Sequence, residues 1–138
     1  MKMIVLSSLM LLLAFGSCSR SRGHSSLVGK YDLQGHDYAG QLIFKGTISF
    51  TDLNNNQVKG NCKVVKVAQT FRGAVDKKDG PCEGEVSGNK ITLDLAPGLS
   101  DAGLVFEGQW TDARIDGTWR IESFLGGKTF GTFEAIKQ

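Results

Sequence analysis

The chain has 138 residues, with 18 glycines and only 2 prolines, a length that suits one domain around a single core. The glycines are scattered rather than periodic, which excludes a collagen-like chain and a flexible linker protein. Of 16 basic residues one, Lys2, stands at the extreme N-terminus, and the remaining 15 face 14 acidic ones, so the chain carries no electrostatic footprint for nucleic acid.

Lys2 is followed by an almost unbroken apolar run from Met3 to Phe15 and by the small residues Gly16 and Ser17. A positive start, a short apolar stretch and small residues at its end predict a signal peptide over residues 1–17. The run is shorter than the roughly 20 residues a membrane span requires. The segment Ala14-Phe15-Gly16-Ser17-Cys18 resembles the bacterial lipobox. That resemblance implies lipidation of Cys18 and a lipoprotein of a bacterial cell envelope, held to the membrane by its lipid anchor. Phe15 stands where the pattern has an aliphatic residue. The alternative is ordinary cleavage after Ser17 or Ser19, giving a secreted or periplasmic soluble protein.

Residues 18–26 read as a tether, polar and rich in serine and arginine, with His24 solvated in it. The domain is then expected over 27–138. Alternation of apolar and polar residues dominates it, and no stretch carries a helical period. An opening strand is expected over 28–33, followed by a first loop containing Gly35-His36-Asp37-Tyr38. His36 and Asp37 have no third partner in view for nucleophilic catalysis and read as turn residues. Leu42, Phe44, Gly46, Ile48 and Phe50 form one face of the next strand, with Lys45, Thr47, Ser49 and Thr51 on the other and Ile43 the apolar exception. Asn54-Asn55-Asn56 makes a turn, since asparagine tolerates left-handed backbone angles. Val58, Gly60, Cys62 and Val64 mark the third strand. Later strands are expected over 82–86, 90–95, 104–111, 114–122 and 129–137, about eight in all. Tight turns at Ser87-Gly88-Asn89, Thr111-Asp112-Ala113 and Gly126-Gly127 join several of them, and 96–101 is a longer loop.

Antiparallel strands joined by short turns form a meander, and eight of them remove their edges by closing into an all-β up-and-down barrel. Five times the chain writes an inward residue, a charged residue, glycine, any residue and a second inward residue, with the glycines at Gly46, Gly60, Gly84, Gly108 and Gly117. Glycine weakens a strand. Its repetition on the apolar face fits corner and spacer positions of a small barrel. The weaker alternative is close approach of a ligand at each strand. The opening Leu27-Val28-Gly29-Lys30-Tyr31 is similar to the Gly-x-Trp start of lipocalins, with Tyr31 in the tryptophan position. The closing Gly131-Thr132-Phe133-Glu134-Ala135 resembles the last strand of bacterial barrels of this kind. The chain thus resembles the lipocalin and avidin superfamily of calycin-type barrels. This resemblance implies a barrel that holds a small apolar ligand inside.

The interior is expected to be lined by Tyr31, Phe44, Phe50, Phe106, Trp110, Trp119 and Phe133, either holding such a ligand or packing on one another. With Cys18 lipidated or removed, Cys62 and Cys82 are an even pair, expected to form a disulfide in an oxidising compartment. Two cysteines without a nearby histidine are an incomplete zinc set, so no metal and no cofactor is expected. The stretch from Lys63 to Pro81, stapled at its base by the cysteines, reads as a long loop. It carries Lys63, Lys66, Arg72, Lys77 and Lys78 with Val65, Val67 and Phe71. It is either a lid or contact surface, or an extended hairpin with solvated charges. Asp94, Glu107, Asp116 and Glu122 fall on outward faces, within cross-strand reach of Arg114 and Arg120. No pair of carboxylates is set in a cleft and no phosphate-binding loop precedes a helix. The expected function is non-catalytic: an exported barrel binding a small apolar ligand. The alternative is a solid barrel acting through its loops, as an enzyme inhibitor or an accessory subunit of an envelope protein complex.

Overall fold

The computed structural model describes residues 26–69, 77–98, 103–122 and 128–138. The expected signal segment, Cys18 and most of the expected tether lie outside these residues, as do Phe71, Arg72 and the turn expected at Gly126-Gly127. Eight strands follow one another: β1 (Gly29–Asp37), β2 (Leu42–Asn54), β3 (Gln57–Lys66), β4 (Lys77–Ser87), β5 (Lys90–Asp94), β6 (Gly103–Trp110), β7 (Arg114–Glu122) and β8 (Lys128–Lys137). Each pairs antiparallel with the next, and β1 pairs with β8, from Tyr31 opposite Lys137 to Asp37 opposite Gly131, which closes the barrel. The expected all-β meander barrel is thus the fold.

Alternation places the inward residues. Tyr31 and Leu33 of β1, Phe44, Ile48 and Phe50 of β2, Val58, Cys62 and Val64 of β3, and Phe106, Ile115, Trp119 and Phe133 further on are all buried. The turns follow their chemistry: Asn55 and Asn56 both hold positive φ (50° and 63°), the two-residue turn that matches the twist of a hairpin. Gly88 does the same between β4 and β5 with φ 61°.

The repeated glycines are corners. A Cβ on Gly46, Gly60, Gly84, Gly108 or Gly117 would stand 1.9, 2.1, 2.4, 2.3 or 2.0 Å from a carbonyl oxygen of the neighbouring strand. Only a Cα hydrogen fits there, so strands cross at closer range than a side chain permits. Gly131, outside the five-fold pattern, meets the His36 carbonyl in the same way at 1.8 Å. Gly35 is a spacer: its Cβ would stand 2.0 Å from Cζ of the Phe44 ring.

Three expectations need correction. β1 runs on to Asp37, so Gly35, His36 and Asp37 are strand residues and the turn begins at Tyr38. Asp37 caps that turn, its carboxylate accepting from the Gln41 amide at 2.9 Å. The stretch from Lys63 to Pro81 is strand at both ends, because Val64 pairs with Lys78 and Val65 with Lys77; the connection between β3 and β4 is 67–76. Finally, the expected disulfide is absent: Cys62 and Cys82 are free, buried thiols. Cys62 lies opposite Gly80 and Cys82 opposite Gly60. They are therefore diagonal rather than directly opposed neighbours, and diagonal pairs stand farther apart across a sheet than directly opposed ones.

One seam is shorter than the rest. β4 pairs with β5 only from Glu83–Asp94 to Ser87–Lys90, so Lys77–Cys82 has β3 on one side and, among the described residues, no strand on the other. Lys78, Asp79, Gly80 and Pro81 blunt that edge, since proline offers no N–H and the charges repel a foreign strand.

Gly117→Ala should lower the unfolding free energy by about 3 kcal/mol, because backbone must move to admit the methyl group. Gly98→Ala, with φ 86° and nothing within 4 Å of the new carbon, should lose only about 1 kcal/mol from the left-handed backbone. Urea unfolding of both variants checks the order; equal losses would refute the corner reading of Gly117.

Candidate functional site

Chain direction gives the barrel two unlike ends. At one end the connections are the short turns 55–56, 88–89 and 111–113. The Tyr31 hydroxyl donates there to the Leu27 carbonyl at 2.9 Å, and the Lys137 ammonium donates to the Ser26 carbonyl while lying 5.7 Å from the Tyr31 ring centre. Leu27 is fully buried. Trp110 closes the same end, half-buried, its indole N–H donating to the Gly88 carbonyl at 3.0 Å. The N-terminal segment thus acts as a plug. Strand ends joined by the longer connections 38–41, 67–76, 95–102 and 123–127 meet at the other end.

Toward that second end stands a layer of aromatic rings. Phe106 stacks on Phe133 (centroids 4.5 Å apart) and lies parallel to Phe44 at 5.8 Å; Trp119 meets Phe44 edge-on at 5.1 Å. Such contacts add about 0.5–1.5 kcal/mol each to the burial of the rings. The Trp119 indole N–H donates to the His36 carbonyl at 2.9 Å, which fixes the indole against β1. Of the residues expected to line the interior, Phe44, Phe106, Trp119 and Phe133 come together in this layer. Tyr31 packs lower, against Phe50 at 5.6 Å, and Trp110 is part of the sealed end.

One ring of the layer breaks the alternation. Trp119 pairs with Gly131 and Arg120 with Thr129, so Phe130 is the extra residue of a bulge. Its ring stacks on Trp119 at 5.5 Å. Strict alternation puts Phe130 on the outer face; only the register shift turns it onto Trp119.

The thiols lie beside the short seam. Cys62 donates to the Leu95 carbonyl (S···O 3.6 Å) and hydrogen-bonds with Cys82. Leu95 is where the β4–β5 ladder has stopped, so a side chain replaces a lost ladder bond. Asp94 does likewise, accepting from the Ala96 amide at 2.8 Å. Its hydrogen bond to Cys62, together with burial, pushes the Cys82 thiol far above the ordinary thiol range.

The outer face is polar and charge-balanced. Arg120 is clamped between Glu107 and Glu122, and Arg114 between Asp116 and Glu134. The clamp holds the Arg120 guanidinium above its ordinary range through its hydrogen bonds to Glu107 and Glu122. Asp116 and Glu134 face each other across β7 and β8, a like-charge pair that Arg114 relieves. A depression of about 910 Å³ runs over this region, with His36, Lys90, Glu107, Gln109, Thr118 and Thr132 among its lining.

No protein family and no curated protein sequence matches this chain. Among solved structures it is similar to EF1p2_mFAP2b bound to DFHBI, at 11% identity and a TM-score of 0.55 over 81% of this chain and 93% of that one. It is also similar to a redesigned β-barrel, mFAP1, bound to DFHBI, at 12% identity and a TM-score of 0.52 over 81% and 94% of the two chains. A third is a de novo designed fluorescence-activating β-barrel, at 14% identity and a TM-score of 0.50 over 80% and 93%. At these identities the likeness is one of fold.

Burial pushes the Tyr31 phenol above its ordinary value, with the Asp112 carboxylate adding to the shift. A raised phenol contributes stability that is complete below the unfolded value near pH 10 and is lost as pH rises toward the folded one. Tyr31→Phe should cost roughly 1–2 kcal/mol at pH 8, since the Leu27 carbonyl is left buried without its donor. The gap to wild type should shrink by pH 11. Urea titrations at both values decide it, and a constant or widening gap would sink the assignment.

Proposed function

We propose that this chain is a non-catalytic, exported small-ligand-binding barrel of lipocalin-like type, carried to a bacterial envelope by residues 1–17 and anchored through lipidated Cys18. One observation carries the ligand reading: among the described residues one end of the barrel is plugged, and the aromatic layer gathers toward the other. An apolar, flat ligand would enter from the end where the long connections meet and settle against Phe44, Phe106, Trp119 and Phe133. Burial of its surface supplies the driving force, about 25 cal/mol per Å² before the costs of association. Two barrels of similar fold are solved with DFHBI bound, which supports the reading by analogy of architecture.

The stacking of Phe106 on Phe133 favours a second reading. Rings already satisfied by one another fill a barrel, and the protein then works through its loop end, as an inhibitor or an accessory subunit of an envelope complex.

Native mass spectrometry of the chain purified from its own host separates the two. A reproducible added mass, lost on denaturation, is expected, together with a change in Trp119 fluorescence in a Trp110→Phe background when a flat apolar dye is added. Phe133→Leu, which keeps the core filled but removes the stacking partner, should weaken dye binding about tenfold, a 1.4 kcal/mol effect. A bare polypeptide mass with an unresponsive Trp119 would favour the loop reading instead.

A further inference from the structure

We infer that the ligand of this barrel is an amphiphilic anion, an apolar body bearing one anionic group, whose charge is received by Lys66 and Lys78 on the inner wall. The inference rests on the ligand reading above and adds the chemical class.

Directly opposed residues of an antiparallel pair share a face of the sheet, with Cβ atoms about 5 Å apart. Lys66 is paired with Phe44, a ring of the aromatic layer, and Lys78 with the buried Val64. Both lysines therefore stand on the inner face, and both are half-buried. The other inward positions of β3 and β4 carry only valine, glycine and cysteine. Charge enters this wall only at its last step, where the two strands approach the connection 67–76. Protection of a sheet edge accounts for Lys78, on the unpaired stretch of β4. It does not account for Lys66, whose strand is paired with β2 up to that residue.

The charges around this end favour an anion. Lys128 of β8 adds a third cation, 5.6 Å from the centre of the Phe130 ring. Among the described residues the carboxylates at this end are engaged by other groups: Asp37 accepts from the Gln41 amide, Asp94 from the Ala96 amide, and Glu122 holds Arg120. Asp79 is exposed and lies opposite Lys63, which is exposed as well. An ammonium has three donors, so a contact that Lys66 or Lys78 makes within the protein leaves others for a ligand. A carboxylate or sulfonate placed there gains charge-assisted hydrogen bonds in a setting less screened than open water, while the apolar body lies against Phe44 and Phe106.

Two dyes of nearly the same body test this in the full chain: 8-anilinonaphthalene-1-sulfonate, an anion, and N-phenyl-1-naphthylamine, which lacks the sulfonate. In a Trp110→Phe background, where Trp119 alone reports, the sulfonate dye should bind about tenfold tighter than the amine. Salt should weaken the sulfonate dye and not the amine. Lys66→Gln and Lys78→Gln should each weaken the sulfonate dye about fivefold and leave the amine unchanged, so that amine binding certifies the fold of each variant. Lys63→Gln, on the outer face, should alter neither. Equal affinity for the two dyes overturns the inference while the ligand reading stands, as does a loss in the lysine variants that falls equally on both dyes. If neither dye binds the unsubstituted barrel, the ligand reading fails and this inference with it.

Discussion

An eight-stranded barrel has just enough interior for side chains, and here that space is shared between rings and glycines by cross-strand pairing. Phe44 lies opposite Gly35, Phe133 opposite both Gly35 and Gly117, Trp119 opposite Gly131, and Phe50 opposite Gly29 and Gly60. Each of these four rings crosses the lumen where a cross-strand neighbour has no side chain, whereas Phe106 faces Leu93 and Trp119, and at the corner glycines the strands close to carbonyl contact. Closure, curvature and the filling of the core are thus one device. A methyl group at a corner would open the strand crossing, and a smaller ring would leave the opposite glycine facing a void.

The same device makes the ends differ. At the plugged end the N-terminal segment and Trp110 supply the hydrogen bonds that a barrel mouth otherwise leaves to water: Tyr31 to Leu27, Lys137 to Ser26, Gln138 to Lys30 and Trp110 to Gly88. At 55–56 and 88–89 short hairpins suffice there because asparagine and glycine adopt the left-handed angles those turns need. Longer connections join the strands at the opposite end, and the ring layer lies toward that end. Polarity of the barrel, closed below and aromatic above, is the property on which any internal binding would depend.

The β4–β5 seam is where the ladder is weakest and where side chains take over from backbone. Cys62 and Asp94 satisfy Leu95 and Ala96 after the strands part, and Pro81, with the charged residues beside it, protects the exposed edge. On β7 the two arginines are each held by two carboxylates, one on β7 itself and one on a neighbouring strand. Exposed clamps of this kind contribute little to stability. Their effect is to keep like charges on adjacent strands, such as Asp116 and Glu134, from opposing the pairing that closes the barrel.

Much of this was legible in the residues themselves. Period-two alternation from Leu27 onward, the Asn54-Asn55-Asn56 and Ser87-Gly88-Asn89 turns and the five inward glycines determine eight strands, their faces and a closed meander. Face is a local property, because successive side chains must point to opposite sides of a strand. Register is not local: it is decided when the last strand meets the first. Register alone put Cys62 diagonal to Cys82 rather than opposite it, turned Phe130 inward at a bulge, extended β1 through His36, and shortened the 63–81 loop to 67–76. It also decided that Phe44, Phe106 and Phe133 meet one another in a single layer while Trp110 seals the far end. A sequence read strand by strand shows which side chains enter the barrel, and only closure determines which of them touch.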